Sequence, residues 1–225
     1  MSARTVVWTR PPASAVDGLR ERKKQLMRQQ LSDTATEMFL THGFDAVRVV
    51  DVAVACGVSE KTVYNYFPTK ESLLLDRWDS TMAGLRDALA DRDRTPVAAA
   101  LSVLADELRG LTSWFKTQAD PTAAAAQFRR FGVLLEETPA LRAHQRDRLD
   151  ELVAAAAEIL AARAGLKPGD SRAQIAAIAL LGLWPVQFAS LAKYLDGIRS
   201  PAQVQRAVTN DVKRAAQILD AGMCF

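Results

Sequence analysis

Within the hexapeptide KTVYNY, Lys61 to Tyr66, stand a lysine, a threonine, two tyrosines and an asparagine, with Glu60 just before them and Lys70 shortly after. Each of these groups has a partner on duplex DNA. An asparagine amide pairs with the adenine edge, a lysine ammonium with guanine acceptors, and a carboxylate with the cytosine amino group. Tyrosine and threonine hydroxyls suit phosphate oxygens. The set is an inventory for the major groove, provided that one element turns all of it outward.

The flanking residues supply that element. Ser59 is a helix N-cap, and Pro68 disfavours a helical conformation in the residue before it, so a helix is predicted that ends at Phe67. At about 100° per residue, Val63 and Phe67 fall on one side, with Lys61, Thr62 and Asn65 opposite and Tyr64 and Tyr66 flanking. A merely solvated helix is the bland alternative, and it accounts poorly for two exposed tyrosines. Before Ser59, Gly57 turns the chain after a short helix over 49–56. Its inward residues are Val49, Val52, Ala53 and Cys56, and its first turn holds Asp51 where the helix dipole favours an acid. The two helices make a helix-turn-helix, in which the second enters the groove. Beyond Pro68, Thr69 caps a long fourth helix predicted from Lys70 to about Asp91. A lysine in a first turn opposes the dipole unless an anion such as a phosphate sits there; otherwise it points into water.

The rest of the chain is read as helix as well. Ser14 or Asp17 caps a first helix to Thr41 or His42, with Leu31, Ala35, Met38 and Phe39 as its apolar stripe. Gly43 stops it, and Phe44 folds back onto the stripe. Five further helices are predicted over 96–118, 122–137, 140–164, 171–195 and 202–221, with Pro185 kinking the fourth of these. No alternating β pattern occurs, so the fold class is all-α. The expected organisation is a basic N-terminal arm over 1–18, a three-helix helix-turn-helix domain over 19–69, and a larger helical domain over 70–225.

Composition narrows the chemistry further. The net charge of +3 permits nucleic acid without requiring it. Arg4, Arg10, Arg20, Arg22, Lys23, Lys24 and Arg28 outnumber Asp17 and Glu21 in the first thirty residues, a basic segment that suits phosphates or serves solubility. Two cysteines, Cys56 and Cys224, make no disulfide framework, and the start has no charged-then-apolar leader, so a reducing cytoplasm is the expected compartment. The apolar run from Ile175 to Phe188 is shorter than a membrane span and reads as a buried helix. Only His42 and His144 are present, neither at metal-ligand spacing, so neither metal nor cofactor is expected. Cys56 reads as an inert core residue, with redox sensing as the lesser alternative. No Gly-rich phosphate loop or nucleophile elbow appears, and the chain is expected not to be an enzyme.

The residues Phe39-x3-Gly43-Phe44, Asp51-Val52-Ala53 and Gly57-Val58-Ser59-x2-Thr62-Val63-Tyr64-x-Tyr66-Phe67-x2-Lys70-Glu71-x-Leu73 together resemble the DNA-binding domain of TetR-family transcriptional regulators. The resemblance covers about residues 28–74, a third of the chain. It implies a homodimeric all-α regulator whose C-terminal domain binds a small molecule and, on doing so, spreads two reading heads. By position, it assigns base contacts to Glu60, Lys61, Tyr64 and Asn65, and phosphate contacts to Thr62, Tyr66 and Lys70. Two departures stand out. Val47 and Arg48 replace the family's usual threonines, and Arg48 cannot cap a helix as threonine does, but its cation could hold a phosphate. The segment before Arg28 is also long, so that Arg20, Arg22, Lys23 and Lys24 either extend the first helix or form a minor-groove arm.

In the C-terminal half the resemblance is architectural. Candidates for lining an effector cavity are Trp78, Met82, Trp114, Phe115, Phe128, Phe131, Trp184, Gln187 and Phe188, each of which could equally be plain core. Trp184-Pro185 is the leading candidate, because a kink opens local space and Gln187 could orient a ligand between two aromatics. Few acids accompany these aromatics, so a mostly apolar effector is expected. Homodimerisation is expected through 171–195 and 202–221. Their stripes are Ile175, Ile178, Ala179 and Gly182, and Val204, Val208, Val212, Ala215 and Ile218. The function that follows is a ligand-responsive repressor on a palindromic operator. A helical small-molecule carrier or enzyme with a vestigial helix-turn-helix is the alternative.

Overall fold

The computed structural model describes residues 18–75 and 78–222, and the side chains of Trp78 and Met82 fall outside the described set. Among the described residues there are ten α-helices, one 3-10 turn and no strand. They fall into two compact units, Met1–Asp76 with Arg130–His144, and Arg77–Arg129 with Gln145–Phe225. The division expected between 69 and 70 lies inside the first unit, which also takes in residues 130–144.

The first unit is built on α1 (Leu19–His42), α2 (Val49–Ala55) and α3 (Glu60–Tyr66). The N-cap of α1 is Gly18, which has no capping side chain; Ser14 and Asp17 lie outside the described residues. Leu31, Ala35 and Phe39 present the expected stripe and are fully buried, while Met38 is half-buried. The helix stops at Gly43, whose φ of 87° is one that side-chain-bearing residues rarely adopt. Phe44 then returns, its ring centroid 5.0 Å from that of Phe39. Helix α2 closes in a paired turn: Val58 N–H donates to Ala53 O at 3.0 Å and Gly57 N–H to Val54 O at 3.1 Å, with Gly57 at φ 69°. Cys56, expected inside α2, is its half-buried C-cap.

After Pro68 the structure departs from the predicted long helix. A single 3-10 turn, Glu71–Leu73, follows, and α4 spans Trp78–Ala90. Two features account for the interruption. Leu73, Leu74 and Leu75 are all buried, which a straight α-helix with one inward face cannot arrange for three successive residues. In addition, the Leu73 carbonyl accepts a hydrogen bond from Ser32 Oγ on α1 at 2.8 Å. Lys70 is therefore at the start of one tight turn, not in the first turn of a long helix.

The second unit contains α4, α5 (Pro96–Thr117), most of α7 (Pro139–Arg163), α8 (Ser171–Leu181), α9 (Leu183–Tyr194) and α10 (Pro201–Gly222); α6 (Pro121–Glu137) contributes to both units. Thr95 caps α5 by accepting from Ala98 N–H at 3.1 Å, with Pro96 at the first helical position. Leu104 and Leu108 of α5 meet Leu180, Leu181, Trp184 and Leu191, and Val204, Val208 and Val212 of α10, in one core.

The single kinked helix expected over 171–195 is two helices. In a continuous helix the Pro185 ring would collide with the carbonyl of Leu181. The break at Gly182 places Pro185 in the first turn of α9, where its missing N–H costs nothing. By length and composition Ser171–Tyr194 is apolar enough to cross a membrane, with mean hydropathy 1.8, yet half of it is buried in the protein's own interior.

The expected dimer stripes also divide. Val204, Val208 and Val212 are at most 3% exposed and are core, so they cannot meet a partner. Ile175, Ile178 and Ile218 are 66%, 54% and 73% exposed.

Candidate nucleic-acid interface

Helix α3 begins where Ser59 Oγ accepts from Thr62 N–H at 3.1 Å, and it is fixed inward by Val63 and Phe67, both fully buried. Glu60, Lys61, Tyr64 and Asn65 consequently face solvent together. Tyr64 is 46% exposed despite its aromatic ring. Thr62 and Tyr66 are half-buried. The Thr62 hydroxyl shares a 2.8 Å hydrogen bond with Ser59 Oγ, so it completes the cap as well as flanking the face.

Arg28 of α1 holds the other end of α3. Its Nη1 donates to Tyr66 O at 2.8 Å while the guanidinium lies 4.6 Å from the centroid of the Phe67 ring. This pairs a cation with the carbonyl end of the helix dipole and stacks it on an aromatic face. Residue types alone do not disclose that role, since the two residues are 38 positions apart.

Besides Thr62, two more of the four phosphate candidates have structural duties. Lys70 Nζ donates to Phe44 O at 2.6 Å and lies 4.2 Å from the centroid of the Phe44 ring. It ties the loop after α1 to the turn after α3. Arg48 is the N-cap of α2. Its backbone N–H donates to Asp51 Oδ2 at 2.9 Å, and its guanidinium grips the same carboxylate through Nε at 3.1 Å and Nη2 at 2.8 Å. Asp51 thus caps backward where a threonine would cap forward. The hydrogen bond from the Arg48 guanidinium holds the Asp51 carboxyl down at about 2. With its side chain 75% exposed, Arg48 still presents charge outward.

Arg20, Arg22, Lys23 and Lys24 lie on the exposed first turns of α1, so this segment extends the helix. Arg4 and Arg10 lie outside the described residues, as does Cys224. Cys56 Sγ is 4.0 Å from Gln30 O. Among the described residues, no group of three or more His, Cys, Asp or Glu is gathered to hold a metal ion.

Seven of the nine ligand candidates have described side chains, all but Trp78 and Met82. Trp114, Phe115 and Phe128 stack together, with ring centroids 4.9 and 5.9 Å apart along the series. Phe131 belongs to the first unit. Trp184 and Gln187 are buried, whereas Phe188 is 45% exposed and cannot bracket Gln187 from within the core. One acid does meet these aromatics. Trp184 Nε1 donates to Glu107 Oε2 at 3.0 Å, and Thr81 Oγ1 hydrogen-bonds Glu107 Oε1. Glu107 was legible only as one charged residue on α5 in register with Val103 and Leu111, a position that turns it inward.

Comparison with known proteins bears on both halves. A family model described as bacterial regulatory proteins, tetR family, matches residues 31–76, and one described as the MftR C-terminal domain matches 104–209. A Mycobacterium tuberculosis protein described as a mycofactocin biosynthesis transcriptional regulator, MftR, is 28% identical over 202 residues, covering 90% of this chain and 93% of the relative. The HTH-type transcriptional regulator TcmR of Streptomyces glaucescens is 30% identical over 155 residues, covering 68% and 67%. Among solved structures, NalD, the secondary repressor of the MexAB-OprM multidrug efflux pump in Pseudomonas aeruginosa, aligns with a TM-score of 0.51. It is 20% identical, with 85% of this chain and 96% of that one covered, and shows the fold alone.

Proposed function

We propose, from the premise that this chain belongs to the TetR family of bacterial regulatory proteins, that it is a repressor released from a palindromic operator by a mostly apolar small molecule. Members of the family are DNA-binding transcription regulators with ligand-binding C-terminal domains, and they act as dimers. The observation that carries the reading is the outward face of α3, where Glu60, Lys61, Tyr64 and Asn65 stand exposed over two fully buried anchors. In this reading those four meet base edges, and Arg48, Thr62, Tyr66 and Lys70 meet or orient phosphates. Lys70 does so while bound to Phe44 O, since an ammonium has three donors.

The dimer would form on the exposed isoleucines of α8 and α10, with 171–195 and 202–221 as the contributing segments. Two heads are needed for two half-sites about 34–36 Å apart. The effector would enter the second unit near Trp184, where the aromatic side chains supply apolar surface and Glu107 a hydrogen-bond acceptor. Effector and operator then oppose each other through one coupling free energy, so DNA weakens effector binding by the factor that effector weakens DNA binding. In this reading the protein acts on DNA in the cytoplasm.

Selection of bound DNA from a random pool tests this reading. A palindromic site should emerge, and a small apolar ligand should dissociate the complex. Recovery of no preferred sequence would favour the carrier or enzyme reading instead.

A further inference from the structure

Among its described residues the second unit buries three polar side chains, Thr112, Gln187 and Ser190. Two of them are paired. Thr112 Oγ1 donates to Leu108 O at 2.9 Å, and Ser190 Oγ hydrogen-bonds Asp211 Oδ2 at 3.1 Å. The Gln187 amide, with the residue 6% exposed, makes no side-chain hydrogen bond within the described residues. A buried amide in that state costs stability unless a further group pairs with it.

Gln187 stands one turn beyond Trp184 on α9, and Leu183, Trp184, Ser190 and Leu191 complete the same buried face. Phe188 and Ala189 take the exposed side, so no surface open to a partner subunit includes the amide. The other polar groups nearby in register are already engaged or point outward. Glu107 accepts from Trp184 Nε1 and from Thr81 Oγ1. The cations of α5, α9 and α10, which are Arg109, Lys116, Lys193, Arg206, Lys213 and Arg214, are all exposed. A carboxylate brought to Gln187 would meet no buried cation from these helices, whereas a neutral headgroup avoids the cost of desolvating an ion.

We propose, resting on the effector reading above, that Gln187 selects an apolar effector by a neutral headgroup carrying both a hydrogen-bond donor and an acceptor, of which a primary carboxamide is the simplest. Oε1 and Nε2 of Gln187 offer the complementary acceptor and donor, and hydrogen bonds made in a low-dielectric interior are stronger than in water. The rest of the ligand is hydrocarbon, because the neighbours on this face are Leu183, Trp184 and Leu191.

Titration calorimetry on the full chain with octanamide, octanoate and octylamine, below their micelle concentrations, tests this assignment. Octanamide should bind more tightly than either ion, by about tenfold or more. Gln187→Leu, close in volume, should weaken octanamide about tenfold, yet its thermal midpoint should equal or exceed the parent's, because an unpaired polar group leaves the core. A lowered midpoint would make the amide a structural group and overturns the proposal. So does unchanged octanamide affinity in that variant, or an ion that binds the parent as tightly as octanamide. If none of the three binds while another apolar ligand dissociates the operator complex, only this proposal falls; if no apolar ligand binds, the effector reading falls with it.

Discussion

Lys61 and Asn65 make no side-chain hydrogen bond within the described residues, so both enter a DNA complex with their full donor capacity. Replacing both with alanine should cost on the order of 1–3 kcal/mol in site-specific binding and relax base preference, with nonspecific affinity little changed. Competition binding against selected and scrambled sites checks this; equal loss on both would assign the two residues to phosphates. Asp51 behaves differently because it is already engaged. Its carboxyl is depressed to about 2, so the cap contributes at pH values above the ordinary carboxylate value, about 3.9, and is lost as pH falls toward 2. An Asp51→Asn variant should accordingly be less stable than the parent at neutral pH, and the two should converge in an acid titration followed by circular dichroism.

Helix ends in this chain are closed by two chemistries of unequal legibility. Ser59, Thr95 and Gly57 act at the ends of α3, α5 and α2 through local geometry, so residue type and neighbours suffice to place them. Arginines close other ends from a distance. Arg163 of α7 donates to the carbonyls of Leu89, Asp91 and Arg94 at 2.6, 2.8 and 2.5 Å, gathering the end of α4 and the chain after it. Arg129 reaches Leu195 O at the end of α9, and Arg130 reaches Leu40 O in α1 at 3.0 Å. Arg163→Ala should leave three carbonyls without that donor, those of Leu89 and Asp91 partly buried and that of Arg94 exposed, and cost about 1–3 kcal/mol. Thermal denaturation should show the loss, with Arg163→Lys recovering only part of it, since an ammonium lacks the planar fork.

At the scale of the molecule, exposure separates surfaces that periodicity alone merges. Val208 and Ile218 share a stripe on α10, yet one is fully buried and the other 73% exposed. Ile175→Asp with Ile218→Asp should therefore yield folded monomers in sedimentation, with helical content retained and operator affinity reduced; Val208→Asp should instead unfold the second unit. A dimer that survives the isoleucine changes would place the interface elsewhere. The all-α class, the glycine turns after α1 and α2, the Ser59 cap of α3 and its outward set were legible in the residues alone, because each follows from interactions within a few residues along the chain. Packing between distant segments set the end of the long helix after Lys70 at a 3-10 turn, the bond of Lys70 to Phe44, the parting of α8 and α9 at Gly182, and the meeting of Glu107 with Trp184. Three of these join residues 26, 41 or 77 positions apart, at Lys70, Leu73 and Glu107. In each, a side chain satisfies a distant backbone or polar group that local pattern leaves open; the break at Gly182 instead follows from the steric demand of Pro185 within the packed core.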